Sequence, residues 1–457
     1  MKKIVEALRE VVGVDAVLDA AATAERASSY WDQSPMRAAA LVRPRTTADV
    51  AAVLKLCHAR GQVVVTHGGL TGCVQGATTN QDSVVLSMEK MNSIEEIDLV
   101  GRTATVQAGV VLQKLQEAVR DKGMLFPIDL GARGSCTVGG NVATNAGGIN
   151  VIRYGMMRNR VLGLEAVTAD GTIISSMNRM LKNNAGYDLK QMFIGSEGTL
   201  GIVTRVIVRL EEAPVSRNSA MVALSSFEAV TNLLKRLQQA LGGQLSAYEV
   251  MWGDYFREVT TPGNHRAPMD RHHPYYVMLE AEGANPAADA EQFTNVMGAA
   301  LEEELVVDAV IPQSDTERTL LWDIRENFQP LYIRKPIFLY DVSLPIRDME
   351  AYVIEVQARL KKRWPDSRCD VIGHIGDGNL HFFVTPGCEG ENLHHQSDED
   401  VYAPLKPIGG SISAEHGIGT EKRIHLGISR SPEEIELMRL LKRTLDPKAI
   451  LNPGKIL

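Results

Sequence analysis

The stretch VIGHIGDGNLHFFV, residues 371–384, holds side chains whose spacing could bind a metal. Two apolar, β-prone runs flank Gly376-Asp377-Gly378-Asn379. Asp-Gly is the signature of a two-residue hairpin turn in which both central positions take positive φ. With the turn centred between Asp377 and Gly378, His374 faces His381. Directly opposed residues point to one side of the sheet, with Cβ atoms about 4.5–5.5 Å apart. Two imidazoles so placed can grip one cation at about 2.0–2.1 Å from each nitrogen. The same register puts Ile372 and Phe383 beside the metal. His272, His273, His394 and His395 sit in polar, loop-like sequence and are assigned no role.

A further ligand is available in GGSISAEHGIGTEK, residues 409–422. Glycines on both sides of Glu415 and His416 suggest a tight loop pressed against a ligand. Adjacent residues project differently, so one of the two can bind metal while the other acts on substrate. Two histidines and one carboxylate with open positions form a catalytic rather than structural ligand set. Such a metal polarises a substrate oxygen as a Lewis acid. Glu421 and Lys422 read as a solvated pair. In HGGLTGCVQGA, residues 67–77, Gly68, Gly69, Thr71, Gly72 and Gly76 offer backbone N–H groups that could cradle a pyrophosphate. No G-x-G-x-x-G opens a helix and no G-x-x-x-x-G-K-[ST] is present, so a Rossmann NAD site or a P-loop is not supported.

The elements that must position these residues alternate between strand and helix over residues 40–210. Thr46 or Thr47 caps a helix carrying Val50, Val53, Leu54 and Cys57 on one face and ending near Gly61. Val63–Val65, Val84–Leu86, Thr103–Ala108 and Val203–Leu210 read as strands. Residues 135–148, SCTVGGNVATNAGG, are small enough to let backbone approach a ligand closely. Beyond Pro214 the helical stretches lengthen. Segments 261–274 and 386–400 read as loops, and the chain closes with a helix and a proline-punctuated tail.

With 457 residues the chain has room for two or three domains. A net charge of −8 without like-charge blocks argues against nucleic-acid partners. The five cysteines form no C-x-x-C pair, which excludes a thiol zinc ribbon and fits a reducing, cytoplasmic compartment. Glu6, Arg9 and Glu10 interrupt any secretory apolar core, and the spacing of Ile4, Val5, Leu8, Val11 and Val12 suits an amphipathic helix. No run of about 18 apolar residues predicts a transmembrane span.

Taken together, GGLTG (68–72), PIDLG (127–131), TVGGNVATNAGG (137–148), GSEGTLGIVT (195–204), GHIGDGNLH (373–381), AEHGIGTEKR (414–423) and DPKAILNPGK (446–455) resemble the FAD-linked D-2-hydroxy-acid dehydrogenases of the vanillyl-alcohol-oxidase type. The resemblance covers nearly the whole chain, and jointly the motifs are specific. It implies an α+β fold: a two-subdomain FAD-binding domain over 1–213, a substrate domain with an antiparallel sheet flanked by helices over 214–410, and a C-terminal segment, 411–457, returning to the FAD site. It implies that FAD is held by Pro44, Gly68, Gly69, Leu70, Thr71, Gly72, Pro127, Asp129, Thr137, Gly139, Gly140, Asn141, Asn145, Gly147, Gly148, Glu197, Gly198, Gly201, Ile202 and Asn452. His374, His381 and Glu415 match the family's metal ligands, His416 its general base, and Arg325 the arginine that binds the substrate carboxylate. Two nitrogens and an oxygen suit zinc, manganese, iron or cobalt, and zinc is the metal expected.

Departures from the family pattern refine these expectations. Leu70 stands where relatives with covalent flavin carry histidine, so FAD is expected to be non-covalent. Leu339 and Phe383 stand where D-2-hydroxyglutarate dehydrogenases place lysine and asparagine. A buried, unpaired second carboxylate is strongly disfavoured, so the expected substrate is a D-lactate-like acid with an apolar side chain, against Leu339 and Phe383. Arg334 or Lys335 leaves a D-2-hydroxyglutarate or D-malate enzyme as the alternative. Two further alternatives are a non-catalytic flavin-binding subunit of an oxidase complex and an NADPH-dependent flavin reductase. The reduced flavin needs an acceptor: an electron-transfer flavoprotein, a quinone (with peripheral contact at the inner membrane face) or a cytochrome. A homodimer is compatible with the sequence.

Overall fold

A computed structural model describes residues 2–261 and 263–457. The chain divides into two compact units. The first runs through Gly148, resumes over Gly155–Ala213 and takes in Glu415–Leu457; the second comprises Ile149–Tyr154 and Pro214–Ala414.

The first unit contains two main sheets. In the smaller, Val17–Asp19 pairs antiparallel with Ala40–Val42, which pairs parallel with Val84–Ser87, which in turn pairs parallel with Val64–His67. In the larger, Ile94–Asp98, Thr103–Gln107, Ile202–Arg209, Val161–Val167 and Ile173–Ser176 run antiparallel in that order. The helix Thr47–Arg60 shows how local sequence sets these elements. Thr46 and Asp49 form a reciprocal capping box, Gly61 closes the helix in the left-handed region, and Val50, Val53, Leu54 and Cys57 are buried. They join a core that also takes Ile4, Val5 and Leu8 from the amphipathic N-terminal helix. Residues 138–144 of the small-residue stretch form a helix capped by Thr137.

The second unit is organised by a seven-stranded antiparallel sheet. Its strands are β1 (Ser216–Leu224), β2 (Leu245–Trp252), β3 (Tyr275–Gly283), β4 (Asp308–Val310), β5 (Phe338–Ser343), β6 (Arg368–His374) and β7 (Asn379–Thr385), in the spatial order β4-β1-β3-β2-β6-β7-β5. Met251, Met278, Ile372 and Phe383 from this sheet pack with Tyr255 and Phe256 of the helix Gly253–Val259 and with Leu321, Trp322 and Ile324 of the helix Asp315–Glu326. The segment 386–400 is not a loop throughout: Leu393–Tyr402 is a helix, on which the His394 ring stacks against Phe338 with centroids 4.5 Å apart. Among the described residues no helix is long and apolar enough to cross a membrane.

Candidate functional site

The hairpin of β6 and β7 differs from the two-residue turn expected. Its loop is Ile375–Gly378, a 3-10 turn closed by Gly378 at φ 90°, and His374 pairs with Asn379 while Ile372 pairs with His381. Only one loop residue, not two, takes the left-handed backbone, because the 3-10 turn supplies the rest of the reversal. The histidines are therefore diagonal rather than directly opposed. The displacement is by an even number of residues, so both still project to one side of the sheet. Their ring centroids lie 5.4 Å apart at 80°. Ile372 and Phe383 share that side, as expected.

Each histidine has a buried carboxylate across the adjoining ladder. Glu249 on β2 pairs with His374, and its Oε1 lies 2.7 Å from Nδ1 of that ring. Asp341 on β5 pairs with His381, with its Oδ1 4.0 Å from Nδ1. Glu249 and Asp341 are both fully buried. At His374 the hydrogen-bonded carboxylate behind Nδ1 fixes the tautomer and orientation of the ring and raises the basicity of the opposite nitrogen, whereas Asp341 stands behind His381 as a nearby charge. Sequence reading missed both acids. The available signal was a single carboxylate inside an otherwise uncharged strand, as in LSAYEVMW and FLYDVS.

Arg325 occupies the last turn of the helix Asp315–Glu326 and is also buried. It donates from Nε to Glu249 at 2.9 Å, and its Nη2 lies 2.7 Å from the same carboxylate and 3.5 Å from Nε2 of His374. Burial would raise the Glu249 carboxyl, but the charges and hydrogen bonds of His374 and Arg325 outweigh it and hold the group below the usual carboxylate range. Thus the arginine expected to meet substrate belongs to a Glu249–His374–Arg325 cluster. Two oriented imidazoles beside two buried acids are donors of the kind that a borderline divalent cation takes.

Asp341 also anchors the chain on its way out of this unit. It accepts from Asn379 Nδ2 at 3.0 Å, from Ser413 Oγ at 3.2 Å and from the Ala414 amide at 3.1 Å. Ala414 is bonded directly to Glu415, the first residue of the returning segment of the first unit, and His416 follows. Glu415 Oε1 accepts from the Gly148 amide at 2.7 Å within the first unit.

In the first unit, Glu197 gathers the returning segments. Its carboxylate accepts from the amides of Ile418 at 2.7 Å and Gly419 at 2.8 Å, and its own carbonyl accepts from Asn452 Nδ2 at 2.6 Å. Burial raises the Glu197 carboxyl, opposed by those amides and by Lys422 and Lys455. Lys422 is therefore not the solvated residue expected but a buried one. Burial lowers the Lys455 ammonium to about 8, and its Nζ donates to Thr78 O at 3.1 Å. Asn452 Oδ1 accepts from the Thr66 amide at 3.1 Å.

Some of the expected FAD-binding glycines meet chain instead of open space. A Cβ at Gly69 would fall 2.1 Å from Ser135 O, and one at Gly148 would fall 1.8 Å from Asp129 O. At Gly72 a Cβ would meet nothing within 4 Å. The Thr66 hydroxyl is buried without a hydrogen-bond partner among the described residues. An orphaned buried hydroxyl next to a glycine loop with space above it fits a bound nucleotide that completes the count. Pro44 is buried, Asp129 pairs with Arg133, and Lys335 is exposed.

Comparison with known proteins shows the family of the chain. Residues 38–176 match the FAD binding domain, and residues 213–456 match the FAD linked oxidases, C-terminal domain. The mitochondrial D-2-hydroxyglutarate dehydrogenase of Bos taurus is 41% identical over 419 residues, 91% of this chain and 76% of that protein. The D-2-hydroxyglutarate dehydrogenase of Xanthomonas citri pv. viticola is 39% identical over 431 residues, 93% of this chain and 90% of that protein. A crystal structure of p-cresol methylhydroxylase with substrate bound superposes with a TM-score of 0.77 at 16% identity, covering 100% of this chain and 96% of that one; it shows the shared fold.

Proposed function

The chain belongs to the FAD-linked oxidase family, and from that membership we propose that it oxidises a D-2-hydroxy acid with FAD and one divalent metal held by His374, His381 and Glu415. It is an FAD-dependent dehydrogenase acting on the CH–OH group of a D-2-hydroxy acid. Zinc is the preferred metal, and the carboxylate-backed histidine pair is the observation that carries the proposal. Glu415, one peptide bond beyond the Ala414 amide that Asp341 fixes, supplies the oxygen ligand.

When bound, FAD supplies the hydride acceptor at N5 and the cation supplies a Lewis acid for the substrate oxygens. Arg325 binds the substrate carboxylate through its guanidinium, oriented by Glu249. His416 takes the C2 hydroxyl proton as general base, a role that contributes about 10²–10⁴-fold. C2 loses a hydride and the oxygen loses a proton, leaving the 2-oxo acid. Leu339 and Phe383 line the substrate side chain, with Lys335 at the surface. The glycine loop 68–72 and the residues around Glu197 and Asn452 hold non-covalent FAD. The reduced cofactor would need an acceptor, with an electron-transfer flavoprotein, a quinone or a cytochrome as the candidates.

The names of the relatives favour a second reading, an enzyme specific for D-2-hydroxyglutarate or D-malate. Anaerobic mixing with D-lactate, D-malate and D-2-hydroxyglutarate, followed at the flavin band, separates the two. His374→Ala tests the metal. It is expected to release most of the cation and abolish bleaching while the yellow FAD stays bound. Full turnover with no metal detectable refutes the ligand assignment.

A further inference from the structure

Beyond the histidine pair, the same side of the sheet turns aromatic. Phe383 lies two residues along β7 from His381, so it projects to the same side about 7 Å further on. Three rings surround it. Phe328 stands with its centroid 5.2 Å away and tilted 33°, Tyr332 at 6.4 Å and 88°, and Tyr255 at 6.4 Å and 35°. These separations fall in the range where aromatic rings attract one another. Leu339 on β5 pairs directly across from Phe383. Phe383 and Tyr255 are buried, whereas Phe328, Tyr332 and Leu339 keep part of their surface uncovered. Phe328 also lies under the Arg325 guanidinium, with Cζ 6.0 Å from its centroid. The wall thus begins at the residue assigned to the C1 carboxylate.

The charges around this wall are already matched. Arg334 Nη2 donates to both oxygens of Glu258, at 2.9 and 3.0 Å, and Arg368 Nη2 donates to the same carboxylate at 3.0 Å. Arg368 also reaches Asp370 at 3.4 Å. Asp370 pairs directly across from Phe383 on the ladder. Two guanidinium groups therefore face two carboxylates. A second carboxylate arriving here would find both guanidinium groups engaged, an acid facing Phe383, and Lys335 out at the exposed surface. Burying it in that setting is costly, and like charge adds to the cost.

We infer that Phe328, Tyr332 and Phe383 form a tail subsite that selects D-2-hydroxy monocarboxylic acids bearing an aryl group over dicarboxylic ones. This inference rests on the D-2-hydroxy-acid reading above. The aryl ring of the substrate packs on the part-exposed faces of Phe328 and Tyr332, which the buried Phe383 ring supports from behind.

The test uses the FAD- and metal-loaded enzyme with D-lactate, D-phenyllactate and D-2-hydroxyglutarate. Anaerobic flavin bleaching is followed first, then kcat/KM with a dye acceptor. D-phenyllactate is expected to exceed D-2-hydroxyglutarate in kcat/KM by about tenfold or more. If none of the three bleaches the flavin, the underlying reading fails. If at least one does and D-2-hydroxyglutarate equals or exceeds D-phenyllactate, the reading stands and the subsite is overturned. Phe328→Leu and Tyr332→Leu are each expected to lower the D-phenyllactate to D-lactate ratio of kcat/KM by about tenfold. Flavin absorbance and a cooperative melt show that each variant is folded. An unchanged ratio in both folded variants also overturns the subsite.

Discussion

Glu249 stands directly across the ladder from His374 and holds its Nδ1 at 2.7 Å. That contact fixes which nitrogen of the ring is left to face a cation. Glu249→Gln keeps the shape and removes the charge. Metal titration of the FAD-loaded variant is expected to show affinity weakened about 10–100-fold with an unaltered flavin spectrum. Unchanged affinity would mean that the acid does not act through His374.

Asp341 serves a different end, because it satisfies three donors at once: Asn379, Ser413 and Ala414. In Asp341→Ala those donors lose a fully buried acceptor. The expected cost is about 3 kcal/mol of folding stability, read from urea unfolding. A loss under roughly 1 kcal/mol would show that water or a neighbour replaces the carboxylate.

The balance between Arg334, Arg368 and Glu258 can be tipped by one substitution. Glu258→Gln removes one of the two carboxylates and leaves Arg334 without its ionic partner. The ratio of kcat/KM for D-2-hydroxyglutarate to that for D-lactate is expected to rise about tenfold, the scale of one charge-assisted hydrogen bond. A ratio that does not move would show that the charges lie out of reach of the substrate tail.

Acid sensitivity should have an identifiable source in His67. Burial pulls its pKa from 6.5 to about 4, and its Nε2 lies 2.8 Å from Ala77 O. Below pH 6.5 the unfolded chain takes up a proton that the folded chain refuses until about pH 4. The neutral ring's contribution is therefore complete above pH 6.5 and is lost as pH falls through that window. Between pH 7 and pH 5 the loss is about 2 kcal/mol. His67→Gln, compared with the parent by urea unfolding at both pH values, should lose less by that amount. Equal losses would place the acid sensitivity elsewhere.

The sequence made the capped helix at Thr47–Arg60 and the histidine hairpin legible because each depends on neighbours within a few residues. Capping chemistry, the 3.6-residue period and strand alternation are all local. The loop length at 375–378 was misread because Asp-Gly suits both a two-residue turn and the end of a 3-10 turn. Glu249 and Asp341 stayed hidden for another reason. Glu249 lies 125 positions from His374 along the chain, and only the strand order brings them together. The burial of Lys422 beside Glu197 depends on segments still further apart along the chain.

The β6–β7 register that pairs His374 with Asn379 across the Ile375–Gly378 loop sets a rule of parity for this hairpin. A slip of the β6–β7 register by two residues slides the partners but keeps both imidazoles in the same layer, whereas a slip by one would turn one ring into the opposite layer, among the apolar side chains there. A circular permutant or graft opened at this loop must therefore preserve the even register between the two histidines.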